Sequence, residues 1–282
     1  MILMVRGLVG LEVRMHMNEM IVEKLKNIEC CNNVKILMAC EAGGRAWGWA
    51  GPDSDYDVRF VYVSPVDHYL CLQKFPDTIE CQIGNNVTIT GWDLQKYLKL
   101  LRNGNPSIFE WYASPIKYAH DISWSCVDRV IHDYFNPKVM LQAYAATINN
   151  NLRKRLVREV SDDMDSVSIS RYFLSFRLFL ACCYSTKRKN QELLYRIPPA
   201  SIDALLTDGG STSEYTEKIK RWLGLRRAGE IGKYISYDAT MNSYLTWAIR
   251  AIYAEIETMK NIDKKDWYEL NELFLKVVHG DA

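Results

Sequence analysis

The most constraining feature of this 282-residue chain is a Gly-Gly turn that lies between two apolar segments. Residues 34–40 are almost wholly apolar and predict a buried strand, and residues 56–63 predict a second strand. Gly43 and Gly44 lack a Cβ, so the backbone between these strands can approach an anion closely, and the amides of a short helical turn can donate hydrogen bonds to it. The segment therefore predicts a small sheet with a phosphate-binding turn at one end.

Two aspartates follow the turn at the entry to the second strand. Asp55 and Asp57 are two residues apart, and positions i and i+2 of a strand point to the same face of the sheet. Two carboxylates side by side are suitable ligands for a hard divalent cation. An isolated Asp-x-Asp is more often a solvated turn, but its place after Gly-Gly and beside a predicted strand favours a metal site that would serve a nucleotide.

These motifs resemble a known group of proteins. The spacing of the Gly-Gly turn and Asp-x-Asp resembles the signature of the DNA polymerase β-type nucleotidyltransferase superfamily. More narrowly, the chain is similar to the RlaP-like (RNA-repair-associated) predicted nucleotidyltransferase family, and the resemblance covers most of residues 20–235. It is carried by Arg-Ala-Trp-Gly at 45–48, Pro-Asp-Ser-Asp-Tyr-Asp-Val-Arg-Phe at 52–60, Thr-Gly-Trp-Asp-Leu at 90–94 and Asn-Pro-Ser-Ile-Phe-Glu-Trp-Tyr-Ala-Ser-Pro-Ile at 105–116.

The resemblance implies a reaction and its participants. A nucleoside monophosphate would move from an NTP to a hydroxyl of an RNA, a protein or a small molecule, with Mg²⁺ or Mn²⁺ as cofactor. Asp55 and Asp57 would be catalytic metal ligands, and Gly43, Gly44 and Arg45 would position the phosphates.

The chain departs from the family pattern at two positions. Gly44 replaces a serine whose hydroxyl is expected to contact the triphosphate. Thr88 stands where the superfamily places a third acidic residue, and threonine can neither act as a general base nor carry the charge that holds a second cation. Glu80, on the adjoining strand of a predicted hairpin, is the candidate replacement, although the sequence does not fix the register that would aim it at the site. The alternative is a catalytically degenerate protein that binds a nucleotide, a nucleic acid or a partner protein.

The order of predicted elements indicates an α+β fold. A small mixed sheet with its helices forms the nucleotidyltransferase domain over residues 18–136, and amphipathic helices without strand signals form a helical domain over 137–282. Residues 1–17 are expected to be a flexible lead. Its residues 1–10 are apolar, but Arg6 interrupts them and they are too short for a membrane-spanning helix.

Two arginines and three tryptophans have both a functional and a structural interpretation. Arg171 and Arg177 lie in an aromatic helical segment, so they either reach the triphosphate across an interdomain cleft or form internal ion pairs with Asp or Glu. Trp47, Trp49 and Trp92 are more typical of packing than of base stacking.

Composition limits the remaining possibilities. A net charge of +1 argues against extensive nucleic-acid coating. The eight cysteines show neither paired metal-binding spacing nor a disulfide framework, which indicates reduced thiols. We therefore expect a cytoplasmic protein that does not associate with membranes.

Overall fold

The computed structural model describes residues 2–153, 166–189, 192–193, 195–209 and 213–281. Its centre is a five-stranded sheet in the order β3-β4-β2-β1-β5. Strands β2 and β4 are parallel, and the other neighbours are antiparallel. The strands are β1 (Lys35–Glu41), β2 (Tyr56–Val63), β3 (Thr78–Ile83), β4 (Val87–Asp93) and β5 (Lys117–His120).

The two faces of the sheet have different neighbours because side chains alternate along each strand. Val58 and Phe60 of β2 belong to a core shared with helix α1 (Ile2–Asn32). Asp57, Arg59 and Val61 point to the opposite face, where Val61 joins the core of the helical half. Phe60 also explains a glycine in β4, because a Cβ at Gly91 would lie 2.1 Å from the Phe60 ring.

Short helices connect the strands and cover the second face. They are α2 (Gly43–Trp47), α3 (Val66–Leu70), α4 (Leu94–Arg102), α5 (Pro106–Tyr112) and α6 (Ser125–Val130). The helical spacing of residues 91–101 predicts a helix that starts with Gly91, Trp92 and Asp93, and this prediction is wrong. They end β4, and helix α4 starts one residue after Asp93 because the Asp93 carboxylate caps it by accepting a hydrogen bond from the amide of Gln95.

The second half is mainly helical. Its helices are α7 (Pro137–Arg153), α8 (Ile169–Ser185), α9 (Ile202–Gly209), α10 (Glu214–Ala228), α11 (Ala239–Thr258) and α12 (Tyr268–His279). Two small antiparallel pairs were not predicted: β6 (Ser166–Ser168) with β9 (Tyr234–Ser236), and β7 (Arg188–Lys189) with β8 (Glu192–Leu193). The mixed sheet followed by a helical bundle confirms the α+β class.

One apolar core connects the sheet to the helical half. It includes Val61 of β2, Trp111 of α5 and Phe173 of α8, all buried. The domain boundary predicted at residue 136 stays a prediction. Helix α1 includes residues 2–17, where a flexible lead is expected, and that expectation stays a prediction.

Two expectations from composition can be compared with the structure. All eight cysteines are free thiols in the structure. Within the described part of the chain, every helix is too short or too polar to cross a membrane.

Candidate active site

Asp55 and Asp57 line one cleft between the sheet and the helical half, with a volume of about 380 Å³. Strand β2 begins at Tyr56, so Asp57 lies in the strand and Asp55 is the last residue of the loop before it. The Gly-Gly turn lines the same cleft. The sequence-predicted glycines and aspartates therefore come together in space.

The backbone of Asp57 is fixed on both sides. Its amide donates to Glu41 Oε1 at 2.8 Å, and its carbonyl accepts from the amide of Ala42 at 2.7 Å. Arg59 Nη2 lies 2.7 Å from Asp57 Oδ1, but the groups are not aligned for a hydrogen bond, and no described residue donates one to this oxygen. Asp57 therefore combines a rigid main chain with a buried carboxylate oxygen that has Arg59 as its charged partner.

Glu41 is a functional residue that the sequence analysis missed. It is fully buried behind Asp57, and Tyr118 donates to its Oε2 at 2.5 Å. Burial raises the pKa of the Glu41 carboxyl, and the hydrogen bonds from Tyr118 and from the Asp57 amide oppose that rise. An acidic residue that ends an apolar strand directly before a Gly-Gly turn was the available signal.

Positions 43 and 44 each require glycine for a different structural reason. Gly43 has φ +61°, and a Cβ there would lie 3.5 Å from Asp57 Oδ2, so the backbone of the turn passes close to the carboxylate. A Cβ at Gly44 would lie 2.9 Å from Trp49 Nε1. The Trp49 indole, which also lines the cleft, therefore fills the space that a serine side chain would need at position 44.

Arg45 holds the acidic loop. Its guanidinium lies 3.6 Å from the centre of the Tyr56 ring, and it donates to the carbonyl of Asp55 at 3.1 Å and to that of Ser54 at 2.5 Å. These contacts fix the approach to β2. The phosphate-binding role of Arg45 stays a prediction.

The sheet register places Thr88 and Glu80 relative to Asp57. Thr88 is paired with Asp57 across the parallel β2–β4 ladder, so an acidic residue there would lie beside Asp57 on the same face. Glu80 is paired with Thr90, which is paired with Arg59. Glu80 thus points to the same face of the sheet as Asp57. However, Glu80 lies on β3, which is two strands from β2, a separation of about 10 Å at the usual strand spacing. It lines neither cavity next to Asp57.

No group of three or more His, Cys, Asp or Glu side chains suited to a metal ion occurs among the described residues. Any cation held by Asp55 and Asp57 would therefore draw its other ligands from outside this set of side chains.

Arg177 forms an internal ion pair, which is one of the two roles that the sequence left open for it. It is fully buried, with Nη1 2.9 Å from Glu110 Oε1 and Nε donating to the carbonyl of Ala200 at 2.6 Å. Arg171 is half-buried on the same helix, and neither arginine lines the cleft. Their nucleotide-binding roles stay predictions.

The helical half contributes cleft residues that the sequence analysis did not single out. Lys233, the only lysine among the residues that line the cleft, lies there with Ser168, Ser170, Tyr234 and Arg226. The alternating serines of residues 166–170 were a signal for a polar strand edge, whereas nothing in the local sequence distinguishes Lys233.

Helix α10 ends on the loop that carries Asp55. Arg226 Nη2 lies 2.6 Å from Asp53 Oδ1, and Arg227 donates to the carbonyl of Gly48, with Nε at 2.7 Å. The helical half thus holds both ends of the loop between α2 and β2.

A second cavity, of about 310 Å³, lies on the other side of Asp57. It shares Gly43, Trp47 and Asp57 with the cleft and extends toward Trp92 of β4 and Glu110 of α5. Asp57 therefore borders both spaces.

Comparisons with known proteins bear on the family of the chain. The chain is 30% identical over 263 residues to the uncharacterized protein YcgL of Bacillus subtilis (strain 168), a match that covers 93% of this chain and 96% of the relative. Among solved structures, a nucleotidyltransferase-like protein from Exiguobacterium sibiricum 255-15 is similar at 8% identity, over 87% of this chain and 74% of that chain. Its TM-score is 0.25, too low to support an argument. The pattern of the RNA repair pathway DNA polymerase beta family (RlaP) matches residues 17–276, and the chain belongs to this family.

Proposed function

We propose that the protein transfers a nucleoside monophosphate from an NTP to a hydroxyl of an acceptor, in a reaction that depends on Mg²⁺ or Mn²⁺. The acceptor classes are RNA, protein and small molecules. The observation that carries the proposal is the convergence of Asp55, Asp57, Gly43 and Gly44 on one cleft, which family membership connects with nucleotide substrates.

The residues present fit a divalent cation. Asp55 and Asp57 supply carboxylate oxygens to one space, and Asp57 Oδ1 has no hydrogen-bond donor among the described residues. Two carboxylates suit a hard cation whose other ligands are phosphate oxygens and water. When bound, the cation would neutralise charge on the phosphates during transfer.

The remaining side chains of the cleft would bind and orient the triphosphate. Gly43 and Gly44 allow the backbone to approach phosphate oxygens, and Lys233 adds a positive charge from the helical half. The acceptor oxygen would attack the α-phosphorus. The bond from that phosphorus to the bridging oxygen would break, pyrophosphate would leave, and the hydroxyl proton would pass to water in the open cleft.

Titration calorimetry of each NTP with Mg²⁺, and again with EDTA, tests the metal-dependent binding. Asp55→Ala should weaken Mg²⁺-NTP binding, whereas Asp67→Ala, on α3 and outside the cleft, should not. Equal affinity in Mg²⁺ and in EDTA would contradict the proposal. Transfer is tested with labelled NTPs and pools of RNA and protein acceptors, and Asp57→Ala should abolish it.

A second candidate function is binding without turnover. Thr88 favours it, because it leaves no acidic side chain at the position paired with Asp57. If the natural protein binds NTP but transfers nothing, Thr88→Asp should create transfer. If the natural protein does transfer, Glu80→Gln should abolish transfer only if Glu80 takes the place of the missing acid.

A further inference from the structure

The second cavity next to Asp57 has the size and walls of a separate ligand site. Its volume of about 310 Å³ is at the lower end of the range of about 300–1,000 Å³ that is usual for small-molecule pockets. It meets the nucleotide cleft at Gly43, Trp47 and Asp57. A ligand bound there would therefore have its reactive end at the carboxylate that the two spaces share.

Three indole rings form the walls of this cavity: Trp47, Trp92 and Trp111. Packing holds them in place, since Trp92 and Trp111 lie 4.1 Å apart between ring centres with planes inclined by 32°, and Trp111 is 5% exposed. Fixed aromatic faces favour a flat ligand with a π-system, because stacking needs little rearrangement of the protein.

Glu110 gives the cavity a directed hydrogen-bond acceptor. Tyr144 and Arg177 both donate to its Oε1, each at 2.9 Å, and within the described part of the chain this leaves Oε2 to accept from a ligand. Arg59 and Ser107 also line the cavity and can donate. The site thus combines aromatic walls with an acceptor and donors.

We propose that this cavity binds the base at the end of a single-stranded RNA acceptor, with the terminal hydroxyl directed to Asp57. This proposal rests on the proposed nucleotidyl transfer. A nucleobase has a flat face that can stack on an indole ring, and it has N–H groups on its edge that can donate hydrogen bonds to a carboxylate. A tyrosine side chain of a protein acceptor would also stack, but its one O–H group would be the attacking group at Asp57 and would leave Glu110 without a donor.

The test measures RNA binding without NTP. A fluorescently labelled single-stranded pentaribonucleotide with a free 3′ hydroxyl is titrated with the natural protein and followed by anisotropy. Trp92→Leu should weaken its binding by about 5- to 150-fold, the fold-change that corresponds to about 1–3 kcal/mol for one stacked base. Trp92→Phe should recover much of the loss because it keeps an aromatic face.

Two controls separate this cavity from the nucleotide cleft and from the rest of the fold. Trp247→Leu changes a tryptophan on α11 that is 55% exposed and lines neither space, and it should leave RNA binding unchanged. Calorimetry with Mg²⁺-NTP should give the same affinity for Trp92→Leu and the natural protein, and melting temperatures show whether each variant is folded.

The outcomes are distinct. Loss of RNA affinity with unchanged NTP affinity in folded Trp92→Leu supports the proposal. Loss of NTP affinity with unchanged RNA affinity would mean that the cavity holds the base of the NTP, and this would overturn the proposal. Failure of the natural protein to bind the oligonucleotide would also overturn the proposal, as would transfer only to protein acceptors. Failure of the natural protein to bind Mg²⁺-NTP would instead overturn the proposed function.

Discussion

At the scale of single residues, Asp57 is positioned from behind by a buried carboxyl. Glu41 Oε1 accepts from the Asp57 amide and Oε2 accepts from Tyr118, so both oxygens are used. Burial raises the pKa of Glu41 because the charged form loses its hydration. The protonation state of Glu41 therefore links the position of Asp57 to pH.

The first prediction concerns the pH dependence of stability at Glu41. Its pKa in the folded protein is raised above 4.5, so the folded state holds the proton more tightly than the unfolded chain. By linkage, this group lowers the free energy of unfolding as pH rises from about 4.5 to the raised pKa. Glu41→Gln does not titrate, so its stability relative to the natural protein should increase over that interval, as measured by urea unfolding at a series of pH values.

Glu41→Ala provides the comparison for this prediction. It leaves the Asp57 amide and the Tyr118 hydroxyl without their acceptor and, like Glu41→Gln, does not titrate, so it should be about 1–3 kcal/mol less stable than Glu41→Gln at every pH. A difference between Glu41→Gln and the natural protein that stays constant with pH would contradict the assigned role.

The second prediction concerns Gly44 and Trp49. A side chain at position 44 would meet the Trp49 indole at 2.9 Å from its Cβ, so Gly44→Ser should destabilise the protein by about 1–3 kcal/mol through overpacking. Gly44→Ser combined with Trp49→Ala should lose less than the sum of the two single changes, because the alanine makes room for the serine. A double-mutant cycle by urea unfolding measures this coupling, and strict additivity would contradict the steric explanation.

At the scale of elements, the ion pair of Arg177 and Glu110 connects α8 to α5. The Arg177 guanidinium is fully buried and also lies 5.1 Å from the centre of the Trp47 ring. One side chain thus joins the helical half to the helix that covers the sheet and to the turn beside the site.

The third prediction compares the two arginines of α8. Arg177→Gln leaves Glu110 without its charged partner and should cost about 3–5 kcal/mol, as expected for breaking a buried pair. Arg171→Gln, a matched change at a half-buried position, should leave the melting temperature nearly unchanged. Thermal unfolding and NTP titration of both variants distinguish the roles, since lower NTP affinity with normal melting would make either arginine part of the nucleotide site.

At the scale of the whole molecule, the helical half holds the loop that presents Asp55. Arg226 pairs with Asp53, Arg227 bonds to the carbonyl of Gly48, and a Cβ at Gly51 would lie 2.8 Å from the Arg226 guanidinium carbon. The cleft is thus formed by both halves, and its acidic loop depends on packing between them.

The fourth prediction tests this dependence. Arg226→Gln should increase amide hydrogen exchange in residues 51–56 and weaken Mg²⁺-NTP binding, because the loop would hold Asp55 less firmly. Arg221→Gln, an exposed arginine on the same helix, should change neither quantity. Exchange measured by mass spectrometry, with α3 as the internal reference, would contradict the prediction if residues 51–56 were protected equally in both variants.

Local patterns were enough for part of the fold and of the candidate site. Strands β1 and β2 follow from apolar runs and the turn between them from two glycines, whereas Asp55, expected in the same strand as Asp57, lies in the loop before it. The predicted helix after β4 begins too early in the chain. Its true start is set by the capping geometry of Asp93, which the sequence alone does not fix.

The sequence by itself determined the α+β class, the Gly-Gly turn and the acidic pair, because each depends on residues close together in the chain. Only the tertiary structure decided the register that places Glu80 two strands from Asp57, the ion pair that buries Arg177, and the arrival of Lys233 in the cleft. These depend on residues far apart in the chain, whose proximity is set by the packing of the whole core and not by any local period.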